Sequence, residues 1–135
     1  MAPRSWNPFK RKRVEEEAPA LDPSEIKEPS DHDSFLQRGW AYHARGEQEK
    51  AESDFRRAIS FSPDSVEANY GMALVMKSQG KKEEATQQFN KVMELIELGK
   101  IEKQAKSEMM RRLTLGHINE LTTGDWNLQD EIWKQ

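Results

Sequence analysis

Apolar residues recur at helical spacing along most of the chain after residue 30. In the clearest stretch they stand at positions i, i+4, i+7 and i+8, namely Ala51, Phe55, Ala58 and Ile59. A later stretch repeats this spacing with Ala85, Phe89, Val92 and Met93. Such spacing puts the apolar side chains on one face of a helix. The pattern therefore predicts an all-α fold built from amphipathic helices.

Helix-breaking residues divide this pattern into segments. The predicted helices end at Gly46, Ser62-Pro63, Gly80, Gly99 and Gly124. Ser30 or Asp31 is expected to cap the first helix, and the fifth, from about residue 100 to residue 122, is the longest. Asp125 is expected to cap a last short helix.

The first 30 residues have a different composition. They contain five of the six prolines and a basic block, Lys10, Arg11, Lys12 and Arg13, which three glutamates follow. Proline removes helical hydrogen bonds, and so few apolar residues cannot offset the entropy of ordering the chain. We therefore interpret residues 1–30 as a disordered arm.

Three residue types recur after 34 positions. Gly46 recurs as Gly80, Ala51 as Ala85, and Phe55 as Phe89. The glycine allows a turn that a β-carbon would resist, the alanine allows two helices to cross closely, and the phenylalanine fills the space between units. The sequence therefore predicts two consecutive units, each a helix, a turn and a second helix.

This period and the residues that carry it resemble the tetratricopeptide repeat family, over about residues 32–97. The matching positions in the first unit are Gly39, Tyr42, Gly46, Ala51, Phe55, Ala58 and Pro63. Those in the second unit are Ala73, Gly80, Ala85 and Phe89. Four residues depart from the family pattern: Arg38 replaces a common leucine, Asn69 an aromatic residue, Val92 an alanine and Glu97 the closing proline.

The resemblance implies stacked helical hairpins, and it divides the chain as follows. Residues 1–30 are the arm, 31–64 the first repeat, 65–98 the second repeat, 99–123 a capping helix and 124–135 a short helix or tail. Stacks of this kind generally need about three repeats. The fifth helix is therefore expected to cover the apolar face that the second repeat leaves open.

The resemblance also implies a binding site, because the first helices of such repeats line a concave groove. The positions assigned to this groove are Leu36, Trp40, His43, Tyr70, Leu74 and Lys77. Trp and Tyr are enriched at binding hot spots, so the main hypothesis is a protein-interaction adaptor that holds a peptide or helix of another protein. It predicts that Trp40→Ala weakens binding and leaves the fold largely intact. The alternative is that the chain's own C-terminal helices fill the groove.

Two further kinds of partner stay open. The block Lys10, Arg11, Lys12 and Arg13 can attach the chain to an anionic membrane or to nucleic acid, or it can be a solvated run of charge. An exposed repeat end can also pair with a second copy of the chain, giving a homodimer.

Composition limits the remaining functions. The 135 residues are 35% hydrophobic and 33% charged, a balance that suits an elongated helical array. The net charge of −3 gives no whole-chain field for nucleic acid, and the lack of cysteine excludes disulfides and thiolate zinc sites. With no apolar run of signal-peptide type or of membrane-spanning length, we expect a cytoplasmic protein.

Candidate chemistry is sparse. Asp31, His32 and Asp33 resemble a metal cluster, but neighbouring residues of a helix point in different directions, so helix capping explains them better. His117 lies in the apolar face of the fifth helix and is expected to be buried and hydrogen-bonded. No nucleophile motif or phosphate loop is present, so we expect a non-enzyme without a metal, a cofactor or a small-molecule substrate.

Overall fold

The computed structural model describes residues 22–126. Within this part of the chain there are five α-helices and no strand. The helices are α1 (His32–Ala44), α2 (Gln48–Phe61), α3 (Val66–Ser78), α4 (Lys82–Glu97) and α5 (Gln104–Thr123), and a short 3-10 helix, Pro23–Glu25, precedes them. The predicted all-α fold is confirmed. The fifth helix begins four residues later than the pattern predicted, and the helix expected near the C-terminus lies largely outside the described residues.

Local hydrogen bonds cap the N-terminal ends of α1 and α3. The backbone nitrogen of Ser34 donates to the Asp31 carboxylate at 2.9 Å, and the Ser34 hydroxyl accepts from the Asp31 backbone, which completes a capping box. The Ser65 hydroxyl accepts from Ala68 N at 3.2 Å. The acidic residue before α1 is therefore a helix cap. Gly46 and Gly80, each with φ of 78°, make the turns inside the two hairpins.

Two helical hairpins, α1–α2 and α3–α4, stack side by side through α2 and α3. The repeated apolar positions form their interiors, and six are fully buried: Ala51, Phe55, Ala58, Ala73, Ala85 and Phe89. Gly39 is also buried, Tyr42 is half-buried, and Pro63 is exposed in the turn before α3. α5 packs on α4 and closes the second hairpin, with Met110 in its core cluster.

The ring of Phe55 joins the two hairpins. A β-carbon added to Gly39 would lie 3.0 Å from Phe55 Cε1, and one added to Gly71 would lie only 2.5 Å from it. A contact of 2.5 Å essentially never occurs at a real β-carbon, and one of 3.0 Å is tighter than most. Glycine at both positions therefore lets α1 and α3 approach the same ring.

Residues 22–30 differ from the expected disordered arm. Pro23 is fully buried, and the segment packs on α1. The cause is Arg38, whose Nε and Nη2 each lie 2.7 Å from a carboxylate oxygen of Asp54 and whose Nη1 donates to the Ile26 carbonyl at 3.1 Å. The arginine that departs from the family pattern thus binds the end of the arm to the first hairpin. The basic block at residues 10–13 lies outside the described residues.

Candidate protein-binding groove

The six groove positions form two matching rows on α1 and α3. Leu36, Trp40 and His43 lie on α1, and the residues 34 positions later, Tyr70, Leu74 and Lys77, lie on α3. Leu36 and Tyr70 are buried, at 8% and 9% exposed. The other four residues are half-buried. In both rows, therefore, the first residue is buried and the second and third are partly exposed.

Trp40 belongs both to the groove row and to the core. Its ring packs edge-on against Phe55, with centroids 5.0 Å apart, and it contacts both core clusters. His43 lies beside it, 6.0 Å between centroids, and its Nδ1 is 2.8 Å from Gln48 Oε1. Removing the Trp40 ring is expected to destabilise the fold by about 2 kcal/mol. Trp40→Ala is therefore a poor test of binding alone, in contrast to the expectation from sequence.

In the second repeat, α5 contacts two of the three groove residues. His117 Nε2 lies 3.0 Å from the Tyr70 hydroxyl, and His117 Nδ1 lies 2.9 Å from Lys77 Nζ. Lys77 also pairs with Glu120 at 2.8 Å. Because an ammonium group only donates, Nδ1 must accept, so Nε2 carries the proton and donates to Tyr70. The expected hydrogen bonding of His117 is present, although the side chain is half-buried rather than buried.

This environment keeps the imidazole of His117 neutral. Burial, together with the neighbouring Lys77 ammonium, lowers the pKa of His117 to about 4. Burial raises the pKa of the Tyr70 hydroxyl. The hydrogen bond and charge of Lys77 lower the pKa of Glu120, so the pair stays ionised in neutral solution. One cation and one anion thus border the second half of the groove and hold an uncharged ring between them.

The residue after the C-terminal turn also reaches this site. The Trp126 ring packs edge-on against His117, with centroids 4.8 Å apart, and Lys77 Nζ lies 5.9 Å from its centroid. A β-carbon on Gly116 would lie 2.0 Å from the Trp126 ring, so the indole rests directly on the backbone of α5. Trp126 is thereby anchored on α5. The second tryptophan of the C-terminal segment, Trp133, lies outside the described residues.

A second concavity lies at the N-terminal ends of α1, α3 and α5. The sequence pattern did not predict it. It is a cleft of about 770 Å³ with Leu36, Val66 and Ile101 among its lining residues. Lys100 pairs with Asp64 at 3.1 Å across its edge, and Lys106 pairs with Glu67. These contacts join segments up to 39 residues apart, and no spacing in the sequence indicates them.

Neither a metal-binding cluster nor a membrane-spanning helix is present within residues 22–126. No group of three or more His, Asp or Glu side chains in this range is placed to hold a metal ion. His32 instead bonds Ser65 Oγ through Nε2 at 2.8 Å and contacts Asp33 through Nδ1. Among the helices of the same range, none is long and apolar enough to cross a membrane.

Comparison with known proteins supports the repeat assignment. The family model described as TPR repeat matches residues 39–80, from the middle of α1 to the glycine after α3. No curated protein and no solved structure matches the chain. The matched segment includes Gly46, Ala51 and Phe55 and ends at Gly80, so the repeated positions Ala85 and Phe89 lie beyond it. Together with the two stacked hairpins, this match shows that the chain contains a repeat of the tetratricopeptide type at residues 39–80.

Proposed function

We propose that this protein is a non-catalytic adaptor that holds an apolar peptide or helix of a partner protein in the groove between its two repeats. Repeats of this family generally mediate protein–protein interactions. The proposal depends mainly on the half-buried apolar pair Trp40 and Leu74, which stand 34 residues apart on α1 and α3.

A partner can gain free energy at this pair without a change of fold. Both side chains pack on the core, Trp40 on Phe55 and Leu74 on the core cluster of the second hairpin. Side chains already fixed by packing lose little further entropy when a ligand covers them. Burial of apolar area contributes about 25 cal/mol per Å², so a partner that covers about 200 Å² here gains about 5 kcal/mol before the costs of association.

Polar residues at one end of the pair can orient the bound segment. His43 lies beside Trp40, and Lys77 is the equivalent residue on α3. Since Lys77 is paired with Glu120, it supplies a positioned dipole rather than an isolated charge. Apolar burial therefore provides the binding free energy, and these residues favour one direction of the partner chain.

The test uses one substitution in the groove and one matched substitution outside it. Leu74→Gln places an amide in the apolar pair, whereas Leu98→Gln makes the same change at a leucine that is 70% exposed just after α4. Both variants are expected to fold, which circular dichroism checks. Each is used to capture partners from native cell extract, and the captured protein is identified, purified and titrated.

The proposal expects Leu98→Gln to bind as the wild type does and Leu74→Gln to bind at least tenfold more weakly, since one polar group would be buried without a hydrogen bond. Equal binding by all three proteins would show that the groove does not hold the partner.

A further inference from the structure

The outer face of α5 carries a shallow cavity of about 400 Å³. The described residues that line it all belong to this helix, namely Ala105, Glu108, Met109, Arg112 and Leu113. Met109 is 52% exposed. Arg112 follows the core residue Met110 by two positions, so the two side chains point in nearly opposite directions. The cavity therefore faces away from the core of the second hairpin, and its apolar lining would gain free energy from an apolar occupant.

The C-terminal turn brings the chain back onto this face of α5. Gly116 stands one helical turn after Arg112, and a β-carbon added to it would lie 2.0 Å from the Trp126 ring. Asn119 Nδ2 donates to the Trp126 carbonyl at 3.2 Å. Since Gly124, with φ of 80°, reverses the chain, the described residues end at Trp126 beside the outer face rather than beyond the end of the helix.

The length of the segment after Trp126 matches the distance to the cavity. Trp133 follows Trp126 by seven positions, and Gly116 follows Met109 by the same number. Residues of a helix seven positions apart lie on the same side, about 10.5 Å apart along the axis. A short helix that runs antiparallel to α5, with Trp126 on Gly116, would therefore bring Trp133 over Met109.

The charged residues agree with the same register. In it Asp130 faces Arg112, and Lys134 faces Glu108. A shift by one helical turn would instead place Asp130 beside Glu108, two like charges. Arg112 can also form a cation–π contact with the ring of Trp133. Apolar contact and charge therefore favour one placement of this segment on α5.

We propose that the cavity on the outer face of α5 is the docking site of the chain's own residues 127–135, with the Trp133 indole in the cavity and Asp130 paired with Arg112. This segment covers the last helix of the stack, as α5 covers the second hairpin. A tethered segment competes at a millimolar effective concentration, so it excludes a second copy of the chain from this face. The cavity residues are not among the six groove positions, so the proposal does not depend on the proposed function.

Engineered cysteine pairs test this placement, because the chain has no cysteine of its own. Glu108→Cys/Lys134→Cys puts two thiols at a proposed contact and leaves Trp133 in place. The matched control, Thr122→Cys/Lys134→Cys, moves one thiol about 21 Å along the same helix, close to the turn at Gly124. Glu108 and Thr122 are both exposed, so both variants are expected to fold, which circular dichroism checks. Disulfide formation with oxidised glutathione is followed on non-reducing gels.

The docked segment predicts a disulfide within one chain that forms about tenfold faster in Glu108→Cys/Lys134→Cys than in the control, because docking raises the effective concentration of the two thiols. A freely moving segment would give the opposite order, since position 122 is the closer one to its point of attachment. Adding Trp133→Ala to Glu108→Cys/Lys134→Cys should lower its rate to that of the control.

Exchange of the second charge pair tests the register itself. In the Glu108→Cys/Lys134→Cys chain, Arg112→Asp should slow disulfide formation, because it places a like charge opposite Asp130. Adding Asp130→Arg should restore the rate, because the exchanged charges meet in the same register.

Other results would overturn the proposal. A control that reacts as fast, or no disulfide in either variant, would show that residues 127–135 do not dock on α5. Disulfide-linked dimers would show that a second copy of the chain takes this face instead. An unchanged rate with Trp133→Ala would remove the indole from the cavity, and a charge exchange that restores nothing would refute the pairing of Asp130 with Arg112. No partner enters this test, so its failure leaves the proposed function standing.

Discussion

The ion pair between Arg38 and Asp54 leads to the sharpest prediction about stability. The two side chains form two hydrogen bonds of 2.7 Å, and the side chain of Arg38 is 19% exposed and that of Asp54 3%. Arg38→Leu, which introduces the leucine common at this position in tetratricopeptide repeats, leaves the Asp54 carboxylate buried without its partner. It also frees the carbonyl of Ile26 that Arg38 holds. Breaking a buried pair from one side destabilises a protein by about 3–5 kcal/mol.

The double variant separates this cause from loss of packing. Arg38→Leu/Asp54→Leu replaces both charges with apolar groups, so no charge stays buried alone. Exchange of a buried pair for apolar residues is often neutral or stabilising by about 1–4 kcal/mol. We therefore expect the double variant to be more stable than Arg38→Leu, although it carries more changes.

Urea unfolding followed by circular dichroism gives the free energy of unfolding of the wild type, Arg38→Leu, Asp54→Leu and the double variant. The reasoning would be refuted if Arg38→Leu cost less than about 1 kcal/mol. It would equally fail if the double variant were no more stable than that single variant. Either result would mean that water reaches Asp54, and that the pair does not hold residues 22–30 against α1.

Three further predictions concern other sites. The pKa of His117 is about 4 in the folded chain against 6.5 for an ordinary histidine, so the unfolded chain binds a proton more readily as the pH falls. The free energy of unfolding should therefore fall by about 2 kcal/mol, a value discounted for solvent screening, as the pH drops from 6.5 toward 4. Urea titrations between about pH 5 and 6.5 should show this dependence in the wild type, and His117→Gln should remove most of it. Gly71→Ala should destabilise by about 1–3 kcal/mol because its β-carbon would lie 2.5 Å from Phe55, and Gly39→Ala, at 3.0 Å, should cost less in the same assay. If residues 10–13 attach the chain to anionic surfaces, binding to phosphatidylserine vesicles should weaken with salt and disappear when residues 1–21 are deleted; binding that survives the deletion would contradict this role.

The sequence predicted the repeat well because its signals are local and periodic. The turn at Gly46, its copy at Gly80 and the buried Phe55 and Phe89 each follow from short spacings that the helix geometry requires. These positions alone imply two hairpins and their order in the stack. The start of α5 was misplaced by a few residues, since residues 100–103 have no glycine or proline to mark a boundary.

Contacts between distant residues could not be predicted in this way. Arg38 was noted only as a departure from the family pattern, because its partner Asp54 lies 16 residues away with no periodic relation to it. The bonds of His117 to Tyr70 and Lys77 cross 47 and 40 residues. The groove positions were therefore assigned from the repeat pattern, whereas the share of the groove that α5 and Trp126 occupy depends on tertiary packing.

The central claim, that a partner protein lies in the groove, is tested most directly by photocrosslinking at two positions. A photoreactive residue replaces His43 in one chain and Leu98 in a second, and both are irradiated in native cell extract. His43 is half-buried beside Trp40, whereas Leu98 lies outside both repeat rows. The account predicts that the chain with the probe at position 43 crosslinks to one protein, at an apolar segment of it, and that the other chain does not. The same crosslinked protein from both positions, or from position 98 alone, would contradict a groove-bound partner.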